Sequence, residues 1–241
     1  RRWGIADKLA AASPFGVDFP SNVTFVTRLG GKLIKRFENA LQCSPLRDER
    51  YSEHSQWIPQ YKLEEVLRTH AATLPSIAFR YGSEYTGFEQ DSDGVTVHYD
   101  DIVSGEARSL RAGYLIGADG ARSKVRDDIG AVMIGTYGLS RNYNIIFRAP
   151  GLMAAHDKGP AIMYWQLNAD LPSLIGPMDQ GDLWYFMPIG TGKDVTFTDE
   201  EAIAAIRTST WGWVRPTVAV RWCSESSGSV CVDTGDVSVM P

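Results

Sequence analysis

The stretch YLIGADGARSKVRDDIG, residues 114–130, constrains the fold more than any other part of the chain. Tyr114, Leu115 and Ile116 form a short apolar run suited to a buried parallel strand. Gly117 and Ala118 let the backbone pass close to its neighbours, and Gly120 permits a tight turn. Asp119 then falls at the carboxyl end of the strand, where open α/β sheets bind ligands. Ser123 is placed to cap a helix starting near Lys124, whose first N–H groups would face an anion. Arg122 and Arg126 either add phosphate contacts or solvate that helix. The residues support a second reading equally well: an ordinary strand–turn–helix joint with Asp119 as a cap.

The rest of the chain narrows the context. Its 241 residues can bury a sizeable core, as one large domain or two interleaved ones. A 44% hydrophobic and 22% charged composition is that of a soluble globular protein. Net charge is -5, which argues against a surface built for nucleic acid or an anionic membrane. No apolar stretch approaches the roughly 20 residues that cross a bilayer, and no cleavable signal pattern opens the chain. Cys43, Cys223 and Cys231 are too few and too irregular for a disulfide framework, so a cytoplasmic setting is expected. His54, His70, His98 and His156 have no metal-ligand spacing, and no metal site is expected.

Periodicity sets out the elements. RRWGIADKLAAA has no initiator Met and reads as a helix already under way, with Ile5, Leu9 and Ala12 on one face. VTFVTRLGGKLIKRF predicts a hairpin in which Gly30 and Gly31 supply positive φ angles. QWIPQYKLEEVLRTHAATL predicts a helix through Leu63, Val66, Leu67, Ala71 and Leu74, with Pro59 near its start. Short β segments follow, with a hairpin turn at Asp93-Gly94. From Asn144 to Met187, β-rich runs alternate with turns, which predicts an antiparallel sheet with one face packed and one lining something. TDEEAIAAIRTS reads as a surface helix with a Thr198/Glu201 capping box. GTGKD at 190–194 lacks the first glycine of a phosphate loop and reads as a turn.

GADGARSKVR resembles the Asp-Gly motif of the class A FAD-dependent aromatic monooxygenases, which have the p-hydroxybenzoate hydroxylase fold. In that family the motif helps bind the pyrophosphates of FAD and NAD(P)H. The resemblance places Asp119 and Gly120 at the dinucleotide, with Ser123 and Arg126 completing the pattern. WIPQYKLEEVLR resembles the family's segment where a Gln contacts the flavin, here Gln60. RRWGIADKL and TGFEQDSDGVTV resemble an early helix and the β-meander before the motif. The implied fold is α+β to α/β: a partial, Rossmann-like FAD-binding domain interleaved with an antiparallel substrate sheet. Residues 1–20 and 51–130 would form the first, with the meander at 77–112, and residues 21–50 and 131–210 the second. Residues 211–241 are a tail of unclear assignment.

The chain departs from the pattern in two places. The family's G-x-G-x-x-G element would lie before Arg1, and Gly235-Asp236 is only a faint echo of its second Gly-Asp motif. A piece of a monooxygenase, inactive alone and binding FAD weakly, is therefore expected. In the family, NAD(P)H reduces FAD, O2 forms a C4a-hydroperoxide, and oxygen passes to a phenolic or polycyclic aromatic ring. The flavin carries the chemistry, so no catalytic side chain is assigned. Tyr164, Trp165, Trp184, Tyr185 and Phe186 are candidates to line the substrate pocket, although aromatics on a sheet are more often core. A non-catalytic ligand-binding module, and a flavin halogenase or reductase of the same fold, are the alternatives.

Overall fold

The computed structural model describes residues 2–43, 49–136, 143–190, 197–211 and the backbone of 219–221. The chain forms two compact units: Arg1–His70 with Gly138–Pro241, and Ala71–Tyr137. The division expected from the sequence follows ligand binding, whereas this one follows packing, so residues 1–20 and 51–70 group with the larger unit. Gly235-Asp236, Cys223, Cys231 and the GTGKD run beyond Gly190 lie outside the described residues.

In the larger unit, α1 (Ala6–Ala12) ends at Ser13, whose hydroxyl donates to Trp57 O at 3.0 Å. The predicted hairpin is present as antiparallel strands β1 (Val23–Val26) and β2 (Leu33–Phe37). Its glycines serve a different purpose from the one expected, because neither Gly30 nor Gly31 has a positive φ. A Cβ on Gly30 would sit inside the Trp211 ring, and one on Gly31 would meet Thr27 Oγ1 at 2.5 Å. Close approach selects glycine here, which no local turn rule reveals. The predicted helix is α2 (Gln60–Ala72), and Pro59 O accepts from the N–H groups of Lys62 and Leu63.

The smaller unit is built on a three-stranded antiparallel meander of β3 (Ser83–Asp91), β4 (Gly94–Asp101) and β5 (Ala107–Ala112). The first turn sits at Ser92-Asp93, one residue earlier than expected, with Asp91 pairing to Gly94. Gly94, at φ 146°, opens the strand where a Cβ would strike the Ala112 carbonyl. Helix α3 (Lys124–Asp128) is tied to the meander by Tyr85, whose hydroxyl donates to Asp128 Oδ2 at 2.7 Å. The expected buried strand at Tyr114–Ile116 does not form. Tyr114 is 90% exposed and Ile116 85%. A parallel strand needs a hydrogen-bonding neighbour, and no strand among the described residues pairs with this run.

The remaining strands are β6 (Ile145–Arg148), β7 (Met163–Gln166), β8 (Ser173–Pro177), β9 (Leu183–Pro188) and β10 (Ala219–Arg221). With the hairpin they form one seven-stranded sheet in the order β10-β6-β9-β8-β7-β1-β2. The pairing is antiparallel, as expected, except that β1 and β7 run parallel. Helix α4 (Asp199–Trp211) starts with the predicted capping box: Thr198 N donates to Glu201 Oε2 at 2.7 Å, and Glu201 N donates to Thr198 Oγ1 at 3.2 Å. It is more than a surface helix. Ala202, Ala205 and Ile206 join Ile145, Phe147, Ile175 and other buried residues in the core. Beneath it, Gln166 Nε2 donates to both Ser173 Oγ and Ser209 Oγ, while Gln166 Oε1 accepts from Leu29 N at 2.8 Å. That buried polar set joins β7, β8, α4 and the hairpin turn.

Candidate functional site

In the 117–126 turn the structure brings Asp119, Gly120, Ser123 and Arg126 together. Gly120 holds φ 78°, a left-handed conformation that favours glycine. A Cβ on Gly117 would come within 2.8 Å of Val125, so the chain passes close to α3 as expected. Ser123 is the N-cap, accepting from Arg126 N at 3.0 Å. Asp119 reaches the same helix start: Oδ1 accepts from Ser123 Oγ at 2.5 Å and Oδ2 from Val125 N at 3.2 Å. The Ser123 hydrogen bond, aided by the backbone N–H of Val125, holds the Asp119 carboxyl below its ordinary value.

Those contacts change the electrostatics of the turn. The N–H groups of Val125 and Arg126, expected to face an anion, are already taken by Asp119 and Ser123. The N–H groups of Gly120, Ala121 and Arg122, one turn earlier, have no hydrogen-bond partner among the described residues. Successive unpaired backbone N–H groups of this kind are able to receive an anion. Arg126 donates to Ala121 O at 2.9 Å and pairs with Asp127, which braces the loop from behind. Beside it, a cleft of about 600 Å3 runs between the β3–β4 hairpin and α3, with Gly117, Ser123, Arg126, Phe88 and Asp91 among its walls. Gln60 belongs to the other unit, at the exposed first turn of α2, where its side-chain amide donates to Glu64 Oε1 at 2.8 Å.

Strand alternation divides the five aromatic candidates. Tyr164, Trp184 and Phe186 are fully buried on the face covered by α4, so they are core rather than pocket. Trp165 and Tyr185, their immediate neighbours in sequence, lie half-buried on the opposite face. There Trp165 stacks on Phe25, with centroids 6.0 Å apart and planes 10° from parallel. The Tyr185 ring crosses Gly176, where a Cβ would meet its hydroxyl at 2.5 Å, and that hydroxyl donates to Ile162 O at 2.9 Å. Burial raises the Tyr185 pKa, so the phenol stays protonated. Phe25 and Gly176 are members of this face that motif reading missed. The alternation of β1 and β8 was the available signal, but it required knowing that the hairpin joins the sheet through the parallel β1–β7 pair.

The profile of the FAD binding domain family matches residues 27–230, most of the chain. The chain belongs to the FAD binding domain family. Curated relatives of this FAD binding domain include 2,4-dichlorophenol 6-monooxygenase of Cupriavidus pinatubonensis, 40% identical over 46% of this chain and 18% of the relative. Aklavinone 12-hydroxylase DnrF of Streptomyces peucetius is 29% identical over 73% of this chain and 36% of its own. The solved flavin-dependent monooxygenase PieE, in complex with FAD and substrate, matches with TM-score 0.74 and 29% identity, covering 90% of this chain and 38% of that one. The chain thus spans well under half the length of these relatives.

The turn of this FAD binding domain fits part of a dinucleotide. A carboxylate is an acceptor, so Asp119 suits the hydroxyls of a ribityl or ribose chain and repels a pyrophosphate. The N–H groups of Gly120–Arg122 and the exposed Arg122 side chain suit the phosphates.

Proposed function

We propose that the chain is part of an FAD- and NAD(P)H-dependent monooxygenase that uses O2 to hydroxylate a phenolic or polycyclic aromatic substrate. The observation that carries this reading is the half-buried sheet face of Phe25, Trp165 and Tyr185, in a chain of the FAD binding domain family. Bound FAD would supply the redox chemistry and oxygen activation. The residues of this chain bind, orient and exclude water. Asp119 and the Gly120–Arg122 backbone hold the dinucleotide. Trp165, kept in place by Phe25, and Tyr185, kept flat by Gly176, give a rigid apolar wall for a planar ring. The relatives' names support an aromatic substrate.

The test uses the full-length polypeptide with FAD. Phenols and polycyclic phenols should stimulate NAD(P)H oxidation and be recovered with one added oxygen. Asp119→Ala should weaken FAD binding about tenfold or more, the loss of one charged hydrogen-bonding group. Trp165→Ala should raise the substrate KM and leave FAD affinity unchanged. FAD-dependent turnover without oxygen insertion would favour a reductase or halogenase, and no FAD uptake would favour a ligand-binding module.

A further inference from the structure

The segment between β6 and β7 carries a second, separate constellation on the core side of the sheet. His156 is 9% exposed and packs edge-on against Tyr164 and Trp184, at centroid distances of 5.1 and 6.5 Å. Lys158 N donates to His156 Nδ1 at 3.2 Å. Burial, then the charges of Lys158 and Arg36, push the His156 pKa down to about 4, so the ring is neutral near pH 7. With Nδ1 accepting, the single ring proton lies on Nε2. Nε2 is buried and has no hydrogen-bond partner among the described residues.

Other donors gather at the same place. Arg36, on β2, lays its guanidinium against the Gly159 backbone, with one terminal nitrogen 3.2 Å from where a Cβ would stand. Arg36 Nε is buried and unpartnered among the described residues. Thr24 is the cross-strand partner of both Arg36 and Tyr164, and its hydroxyl is buried and unpartnered in the same way. Lys158 is 6% exposed. Its ammonium pairs with Asp157, whose carboxylate is 85% exposed and stands in solvent. Tyr164 is already committed, its hydroxyl donating to Gly159 O at 2.5 Å. The orphan groups are N–H and O–H donors, and the charges acting on His156 are two cations and one carboxylate. Such a set calls for an acceptor carrying one negative charge.

We propose that Arg36, His156 and Lys158 form a binding site for a small monovalent anion, a halide or the carboxylate of a small organic acid. The close ring packing around His156 limits the ligand to that size. The anion accepts from His156 Nε2 and Arg36 Nε and balances the surplus positive charge. It locks the β6–β7 segment to the hairpin, because Arg36 and His156 come from those two elements. The site is independent of flavin and of the proposed hydroxylation.

The test is the melting midpoint of the apo protein at constant ionic strength in sodium chloride, sodium formate and sodium gluconate, the last too bulky to enter. Chloride or formate should raise the midpoint saturably by roughly 2–4 °C over gluconate. Arg36→Gln, a change at a half-exposed position on an edge strand, should abolish the increment. A response to chloride alone assigns a halide site, and one to formate alone a carboxylate site. Equal midpoints in all three salts, or an increment that survives in Arg36→Gln, would overturn the proposal. Crystals of the unaltered protein soaked in bromide give a check that needs no variant: anomalous density beside His156 Nε2 supports the site, and bromide found only elsewhere refutes it.

Discussion

Ser123 Oγ donates to Asp119 Oδ1 at 2.5 Å while accepting from Arg126 N at 3.0 Å, so a single hydroxyl couples the carboxylate to the start of α3. Asp119 adds its own bond to Val125 N. The acidic residue of the proposed dinucleotide turn is therefore fixed before any ligand arrives, which lowers the ordering cost of binding.

Ser123→Ala should loosen that coupling. The Asp119 carboxyl, held low chiefly by Ser123, should titrate closer to the ordinary carboxylate value near ~3.9. Because the folded value is depressed, the stability Asp119 confers is present above the ordinary value and is lost as pH falls through the folded one. Carbon-detected NMR titration of Asp119 checks this, and a curve identical in the variant would contradict it. The Arg126 amide should also exchange faster.

Gly30→Ala should destabilise the larger unit by about 1–3 kcal/mol through overpacking, since its Cβ falls within the Trp211 ring. Adding Trp211→Leu should recover part of the loss. Strict additivity in a double-mutant cycle followed by denaturant melts would show that the two residues do not press on one another.

Gln166→Leu should cost roughly 1–3 kcal/mol, because it strands the Leu29 N–H in the interior and removes the amide that donates to both Ser173 and Ser209, whose hydroxyls also bond one another. The urea midpoint should fall with little change in slope. A midpoint equal to that of the parent would mean that the buried polar set is dispensable.

Stability should decline as the medium is acidified from pH 6.5 toward 4. The unfolded chain takes up a proton on His156 in this range, while in the folded chain the ring, buried and beside Lys158 and Arg36 with Asp157 only partly offsetting them, does not until about 4. His156→Phe should flatten that limb of a plot of melting midpoint against pH. An unchanged slope would place the acid sensitivity elsewhere.

The local devices could be read directly from the sequence. The Thr198/Glu201 box, the β1–β2 hairpin, the meander and α2 each announce themselves within a few residues. Features that depend on distant partners could not. Gly30 is glycine because of Trp211, some 180 residues along the chain. Tyr114–Ile116 has the composition of a buried strand, yet composition does not supply the neighbour that makes a strand. In the turn, Asp119 caps α3, and the N–H groups proposed to receive the dinucleotide lie just after it.

The strict alternation of Tyr164 with Trp165 and of Trp184 with Tyr185 has an evolutionary consequence. Each strand carries two nearly independent registers of inheritance, one for folding and one for whatever ring is presented to the wall. At the proposed substrate wall, point changes at Phe25, Trp165 or Tyr185 can explore new substrates while the interior stays as it was. A single inserted or deleted residue within β7 or β9 would exchange the two registers at once, leaving neither a core nor the proposed wall.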